Sequence, residues 1–151
     1  MIWIGVDPGS KSGAYAILTD DGVIVKPWDD YTFRTNMADI AYERKVNDEK
    51  IMVVVEKVGA IHGQGLTSTW NFAKNTGIIE GILLGLWIPY QLVPPRVWKK
   101  AYSLTSDKAK SIDVCHRLFP EVSLKRTDRC RTDDSNFAEA ILLAEYGRRH
   151  L

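Results

Sequence analysis

The stretch Ile2–Leu18, IWIGVDPGSKSGAYAIL, constrains this chain more than any other. Apolar residues run up to one carboxylate, Asp7. A Pro-Gly turn follows, then small and polar residues, then a second apolar run. The pattern predicts a buried strand ending on an acid, a tight turn, and a second strand returning beside the first. A carboxylate at the end of a buried strand is costly unless a cation or a hydrogen-bond network holds it. Two readings follow. Asp7 caps the turn through its own backbone, or it belongs to a cation site.

The next elements extend a sheet. Thr19-Asp20-Asp21-Gly22 is a hairpin signal through its Asp-Gly pair, so a third strand over Val23–Trp28 pairs antiparallel. Met37, Ile40, Ala41 and Arg44 recur at near-helical spacing within Thr35–Asp48 and predict a helix. Lys50–Glu56 (KIMVVVE) is β-branched and continuous, as in a central strand covered on both faces. It too ends on an acid. Val58–Leu66 carries three glycines and reads as a loop.

Thr67–Leu86 has helical periodicity. Its Gly77, Gly81 and Gly85 fall four apart, which permits close approach of a sheet or another helix. Pro89–Val93 reads as a short strand, and Arg96–Lys100 as a helical turn after Pro94-Pro95. A helix over Asp107–Leu118 would be capped by Ser106 and ended by Pro120. Glu121–Arg131 reads as a basic loop. Ser135–His150 reads as an amphipathic helix on Phe137, Ala140, Ile141, Ala144 and Tyr146, with Arg148 and Arg149 at its favourable C-terminal end. The order β-β-β-α-β-α-β-α-α predicts an α/β fold. Its mixed five-stranded sheet, an antiparallel three-strand meander plus parallel strands, is flanked by helices over one domain, residues 1–151.

Composition excludes several classes. With 45% hydrophobic and 26% charged residues the chain is an ordinary globular one. No apolar run approaches the ~20 residues of a membrane helix, and no secretory signal pattern opens it. Cys115 and Cys130 fit no metal or redox spacing and read as reduced thiols, so a cytoplasmic location with no membrane partner is expected. The net charge is +1, yet it divides unevenly. Residues 1–90 carry 8 Lys+Arg against 11 Asp+Glu, and residues 91–151 carry 12 against 8. Such a division places cations on the rim of a carboxylate site, or marks solvated faces.

Three carboxylate locations stand out: Asp7, Glu56, and the Asp133/Asp134/Glu139 group around the start of the last helix. Neighbouring central strands would bring the first two together, and a helix start at the same sheet end would supply the third. Such a cluster repels itself without hard cations, and oxygen-only ligands suit magnesium or manganese. Two such ions ~4 Å apart activate a water, hold a scissile phosphate and stabilise the leaving oxygen.

IGVDPGSKSGAYAIL, VVVEKV and FAEAILLAEYG, with the lysine-bearing PPRVWKKAYSLTSDKAKSIDVCHRLFP between the last two, make this chain similar to the RuvC-type Holliday junction resolvases, and most to their phage-encoded branch. The resemblance spans nearly the whole chain. It implies a ribonuclease-H-like fold, a homodimer, and magnesium-dependent hydrolysis of paired strands at four-way DNA junctions in recombination or repair, with manganese as a substitute ion. It would place the protein in a bacterial cytoplasm or, for a phage, that of the host. Asp7 and Glu56 match the family's first two metal-binding acids, and Glu139 the acid on its last helix. The remaining acid usually lies three or four residues earlier, where this chain has Ser135 and Asn136. Asp134 is favoured over Asp133 for that role, with helix capping as its alternative.

Lys99 and Lys108 match the family's lysines and are expected at phosphates. Lys100 and Lys11 are further candidates for backbone contact, against the alternative of solvated surface lysines. The loop after Glu56 carries His62 and Gln64, candidates for DNA contact, where the family has a stacking aromatic. Trp70 is read as a stacking platform or a packing or dimer-face residue; Phe72 is read as packing and Trp98 as an anchor that orients Lys99. Two other expectations remain open: a related nuclease acting on RNA or general branched DNA, and a junction-binding module without catalysis.

Overall fold

Side-chain alternation along two neighbouring strands decides what each face of the sheet presents. The computed structural model describes residues 1–9, 13–57, 59, 65–105 and 107–151. Its strands are β1 (Ile2–Asp7), β2 (Ala14–Thr19), β3 (Gly22–Pro27), β4 (Ile51–Glu56) and β5 (Tyr90–Val93). They form one sheet in the order β3-β2-β1-β4-β5. The first three make the expected antiparallel meander, and β1–β4 and β4–β5 are parallel. The two apolar runs that end on acids are thus the central neighbours.

Ile2, Ile4 and Val6 of β1 and Ile51, Val53 and Val55 of β4 point to one face. There they bury against α1 (Asp30–Asn47), through Phe33, Met37 and Ala41, and against α2 (Leu66–Gly85), through Ile79 and Leu83. The intervening residues Trp3, Gly5, Met52 and Val54 point to the other face, where α3 (Pro95–Ala101), α4 (Lys108–Leu118) and α5 (Ser135–His150) contribute the core. The period of two therefore sends Asp7 and Glu56 to the α5 side together.

α5 is not the amphipathic helix that its sequence suggests. Phe137 through Glu145, and Gly147, are all buried, as expected of a helix enclosed on every side. It lies against the sheet because two glycines leave room for it. A Cβ on Gly5 would overlap the backbone of Ala140 and Ala144, and one on Gly147 would stand 2.6 Å from Val54 Cγ2 and 2.8 Å from Trp3 Cε3. Arg148 and Arg149 turn back onto the fully buried Glu145, with Nε to carboxylate distances of 2.6 and 2.5 Å.

Three expectations are corrected. α1 begins at Asp30, earlier than its apolar repeat suggests, because the Asp29 carboxylate accepts from Thr32 N at 2.8 Å and caps it. α4 is capped by Asp107, whose side chain accepts from Ala109 N at 3.0 Å; Ser106 lies outside the described residues. Among the described residues nothing packs against the glycines of α2. An added Cβ at Gly77, Gly81 or Gly85 meets no atom within 4 Å, so this stripe faces outward. Both cysteines are free thiols. Among the described residues no helix is long and apolar enough to cross a membrane.

Candidate active site

β1 and β4 run parallel in register, with Val6 opposite Val55, so their terminal acids emerge side by side at one end of the sheet. α5 reaches the same end with its first turns and presents Glu139. Glu56 and Glu139 are each 8% exposed, and Asp7 is partly buried. Burial pushes the Asp7 carboxyl up to about 7, and the negative charges of Glu56 and Glu139 push in the same direction. Burial also raises Glu56, against the lowering effect of a hydrogen bond from Trp98. Asp7 therefore feels both neighbouring carboxylates, and Glu56 feels the charge of Glu139.

Each acid has a dedicated support. Pro95 opens α3 at its first turn, where its missing N–H costs nothing. Three residues on, Trp98 points into the core with no exposed surface, and its Nε1–H donates to Glu56 Oε1 at 3.0 Å. Lys99 follows, and its Nζ sits 3.1 Å from Glu139 Oε1 and 5.1 Å from the centre of the Trp98 ring. The same Glu139 oxygen accepts from Ser111 Oγ of α4 at 3.3 Å. The turn after Asp7 is held from α2, where the buried Asn75 donates through Nδ2 to Pro8 O at 2.6 Å.

The expected residues divide accordingly. The structure brings Asp7, Glu56, Glu139 and Lys99 together. Asp134 serves as the N-cap of α5, its Oδ1 accepting from Asn136 N at 2.8 Å while its Oδ2 pairs with Arg126 Nε at 2.5 Å. That is the capping alternative, and both oxygens are engaged. Asp133 pairs with His116 at 2.7 Å. Lys108 is exposed at the first residue of α4, one turn before Ser111, and Lys100 is exposed on α3. Trp70 is 71% exposed on α2. Lys11, His62 and Gln64 lie outside the described residues.

Trp98 takes up a second task, because it orients Glu56 as well as flanking Lys99. Ser111 and Asn75 carried no signal in the sequence beyond being polar residues at inward helical positions.

The donor chemistry fits a hard divalent cation: carboxylate oxygens without thiolate or imidazole, and an excess of negative charge that a cation would relieve. The ligand geometry is incomplete. Among the described residues no three His, Cys, Asp or Glu side chains are arranged to hold a metal ion. Glu139 is turned toward Lys99 and Ser111 instead.

No protein-family model matches the sequence, and no curated protein matches it. Solved structures do. The chain is similar to RuvC of Thermus thermophilus in complex with a Holliday junction substrate, at TM-score 0.62 and 12% identity over 99% of this chain and 96% of that one. It is similar to another Thermus thermophilus RuvC structure at TM-score 0.57 and 13% identity, over 99% and 96% of the two chains. Order of strands, mixed sheet and flanking helices agree with those matches, and this chain has the ribonuclease-H-like fold of RuvC.

Proposed function

We propose that this protein is a divalent-metal-dependent, structure-selective endonuclease of the RuvC type, which resolves four-way DNA junctions by paired phosphodiester hydrolysis to 5′-phosphate and 3′-hydroxyl ends. The observation that carries the reading is the convergence of Asp7, Glu56 and Glu139 at one sheet end, in a fold similar over its length to a RuvC seen with a Holliday junction substrate. Asp7 and Glu56 would hold magnesium or manganese, and Glu139 would serve as a further ligand or as general base. Bound there, the ions supply an activated water and charge stabilisation at the scissile phosphate.

The chain's own groups do the rest. Trp98 holds Glu56 in one rotamer. Glu139 exchanges Lys99 for its active role, which frees the Lys99 ammonium to neutralise phosphate charge. Lys108, one turn from Ser111, extends the same cationic margin.

Two symmetric cuts call for two sites related by a two-fold axis, and we assign the pairing face to the outer side of α2. Leu66, Trp70 and Leu84 are 90%, 71% and 63% exposed along it, and Trp87, just past its end, is 84% exposed. These four leave on the order of 600 Å² uncovered, most of the ~800 Å² per partner that a stable interface buries. Gly77 and Gly81 between them let a second helix approach closely.

A junction-binding module without catalysis is the second reading, and the Lys99–Glu139 pair favours it. The two are separated by cleavage of a labelled four-way junction in magnesium and in manganese, with Glu56→Gln in parallel. Wild-type nicks on opposing strands near the branch, lost in a variant that still binds, support the nuclease. Binding without cleavage in either metal supports the module.

A further inference from the structure

Beside the carboxylates lies a cleft of about 620 Å³ lined by Arg96, Lys99, Lys100, Ser103, Leu104 and Thr105. It has the wrong composition for a small apolar ligand and the right one for an anion. Arg96 and Lys100 are one helical turn apart on α3, both exposed, and neither forms an ion pair among the described residues. Lys99 is the partition between the cleft and the acids, since it lines the one and pairs with Glu139 of the other.

The backbone adds an independent observation. α3 ends in a Schellman turn, with Ser103 N donating to Lys100 O at 3.1 Å and Leu104 N to Lys99 O at 2.9 Å. The residue after the cap must then be left-handed, and Ser103 has φ 54°. Glycine is the residue that suits this position, so a side chain there is strained. What serine adds is a hydroxyl on the cleft wall. Thr105 lines it with a second, whose oxygen accepts from Asp107 N at 3.3 Å and whose hydrogen is left to donate outward.

We propose that this cleft is a second phosphodiester site, which takes a backbone phosphate of the bound nucleic acid other than the one at the carboxylates. Arg96 and Lys100 supply the charge, Ser103 and Thr105 the hydroxyl donors. The contact is to phosphate, so it positions the strand without reading its sequence. The inference rests on the nucleic-acid reading above but needs no metal and no catalysis.

The test is equilibrium binding of a fluorescent four-way junction in EDTA across a salt series. Arg96→Ala/Lys100→Ala is expected to weaken binding at least tenfold and to lower the slope of log affinity against log salt by about 1 to 2, as for the loss of one or two phosphate contacts. The charge-matched Arg34→Ala/Lys45→Ala, on α1 across the sheet, should leave the slope unchanged. Ser103→Gly supplies a readout that folding defects cannot mimic, because it relieves a left-handed serine: its melting temperature should rise while affinity falls severalfold. A slope lowered by less than ~0.5, or a Ser103→Gly protein that gains stability and keeps wild-type affinity, overturns the proposal. A wild-type protein that binds neither junction nor linear duplex would instead overturn the nucleic-acid reading itself.

Discussion

Trp98→Phe removes one hydrogen bond and part of a buried ring that also flanks Lys99. The indole has no exposed surface, and its Nε1–H donates to Glu56 Oε1 at 3.0 Å across 42 residues of sequence. Phenylalanine keeps an aromatic ring in the core and deletes the donor. Glu56 is then a buried carboxylate with one partner fewer. A hydrogen bond to an ionised group contributes about 1.5–3 kcal/mol, and changing a residue that orients a metal ligand typically costs ~10–100-fold in metal affinity. The two ranges agree, because 1.4 kcal/mol is about a factor of ten. The donor also holds the Glu56 pKa down against burial, so its loss raises that pKa further and would move the proposed metal binding to higher pH. Calorimetric titration with manganese at several pH values reads both effects, and a denaturant melt shows that the variant is folded. Unchanged manganese affinity in a folded Trp98→Phe protein would refute the claim that the indole sets the Glu56 carboxylate.

Other outcomes follow from the same structure. Gly5→Ala drives a methyl into the backbone of α5 at Ala140 and Ala144; since backbone cannot step aside as a side chain can, the cost should reach about 3 kcal/mol, read as a drop of ~6–12 °C in melting temperature. Asp7, pushed from an ordinary 3.8 to about 7, keeps a proton in the folded chain that the unfolded chain releases. The folded state thus binds more protons between about pH 4 and 7, and stability of the metal-free protein must fall as pH rises through that window, by roughly 3 kcal/mol. Denaturant midpoints in EDTA should show this fall reduced in Asp7→Asn, and an equal fall in both proteins would contradict it. Gly81→Arg places a charged side chain on the outward face of α2; if the proposed pairing through that face holds, analytical ultracentrifugation should show a dimer for wild type and a monomer for the variant, with the melting temperature within a few degrees of wild type.

How much of this was legible beforehand depended on the range of the interaction. Continuous apolar runs and β-branching in IWIGVD and IMVVVE carried the central strands and their shared acid ends; the face those acids occupy came only with the register of the folded sheet. The bounds of α5 were equally plain, since Asp134 caps it and the apolar run begins at Phe137. Asp134 was harder for the same reason, because a carboxylate before a helix reads alike as a cap and as a ligand. The glycine stripe of α2 shows that spacing gives a face but not what covers it; here none of the described residues does. Trp98 with Glu56, and Asn75 with Pro8, join residues 42 and 67 apart. No local pattern encodes such partners, which exist only once the sheet has placed them.

The alternation along β1 and β4 also governs which changes of chain length this protein can accommodate. Asp7 and Glu56 face α5 only because each sits an even number of steps from Gly5 and Val54. One residue inserted within either strand would carry its carboxylate through the sheet to the side of α1 and α2, among Val6 and Val55. Two residues would restore the face but push the acid beyond the first turns of α5. Length variants of this scaffold should therefore gather in the segments after each acid and be absent from the strands, where they would change which side of the molecule bears charge.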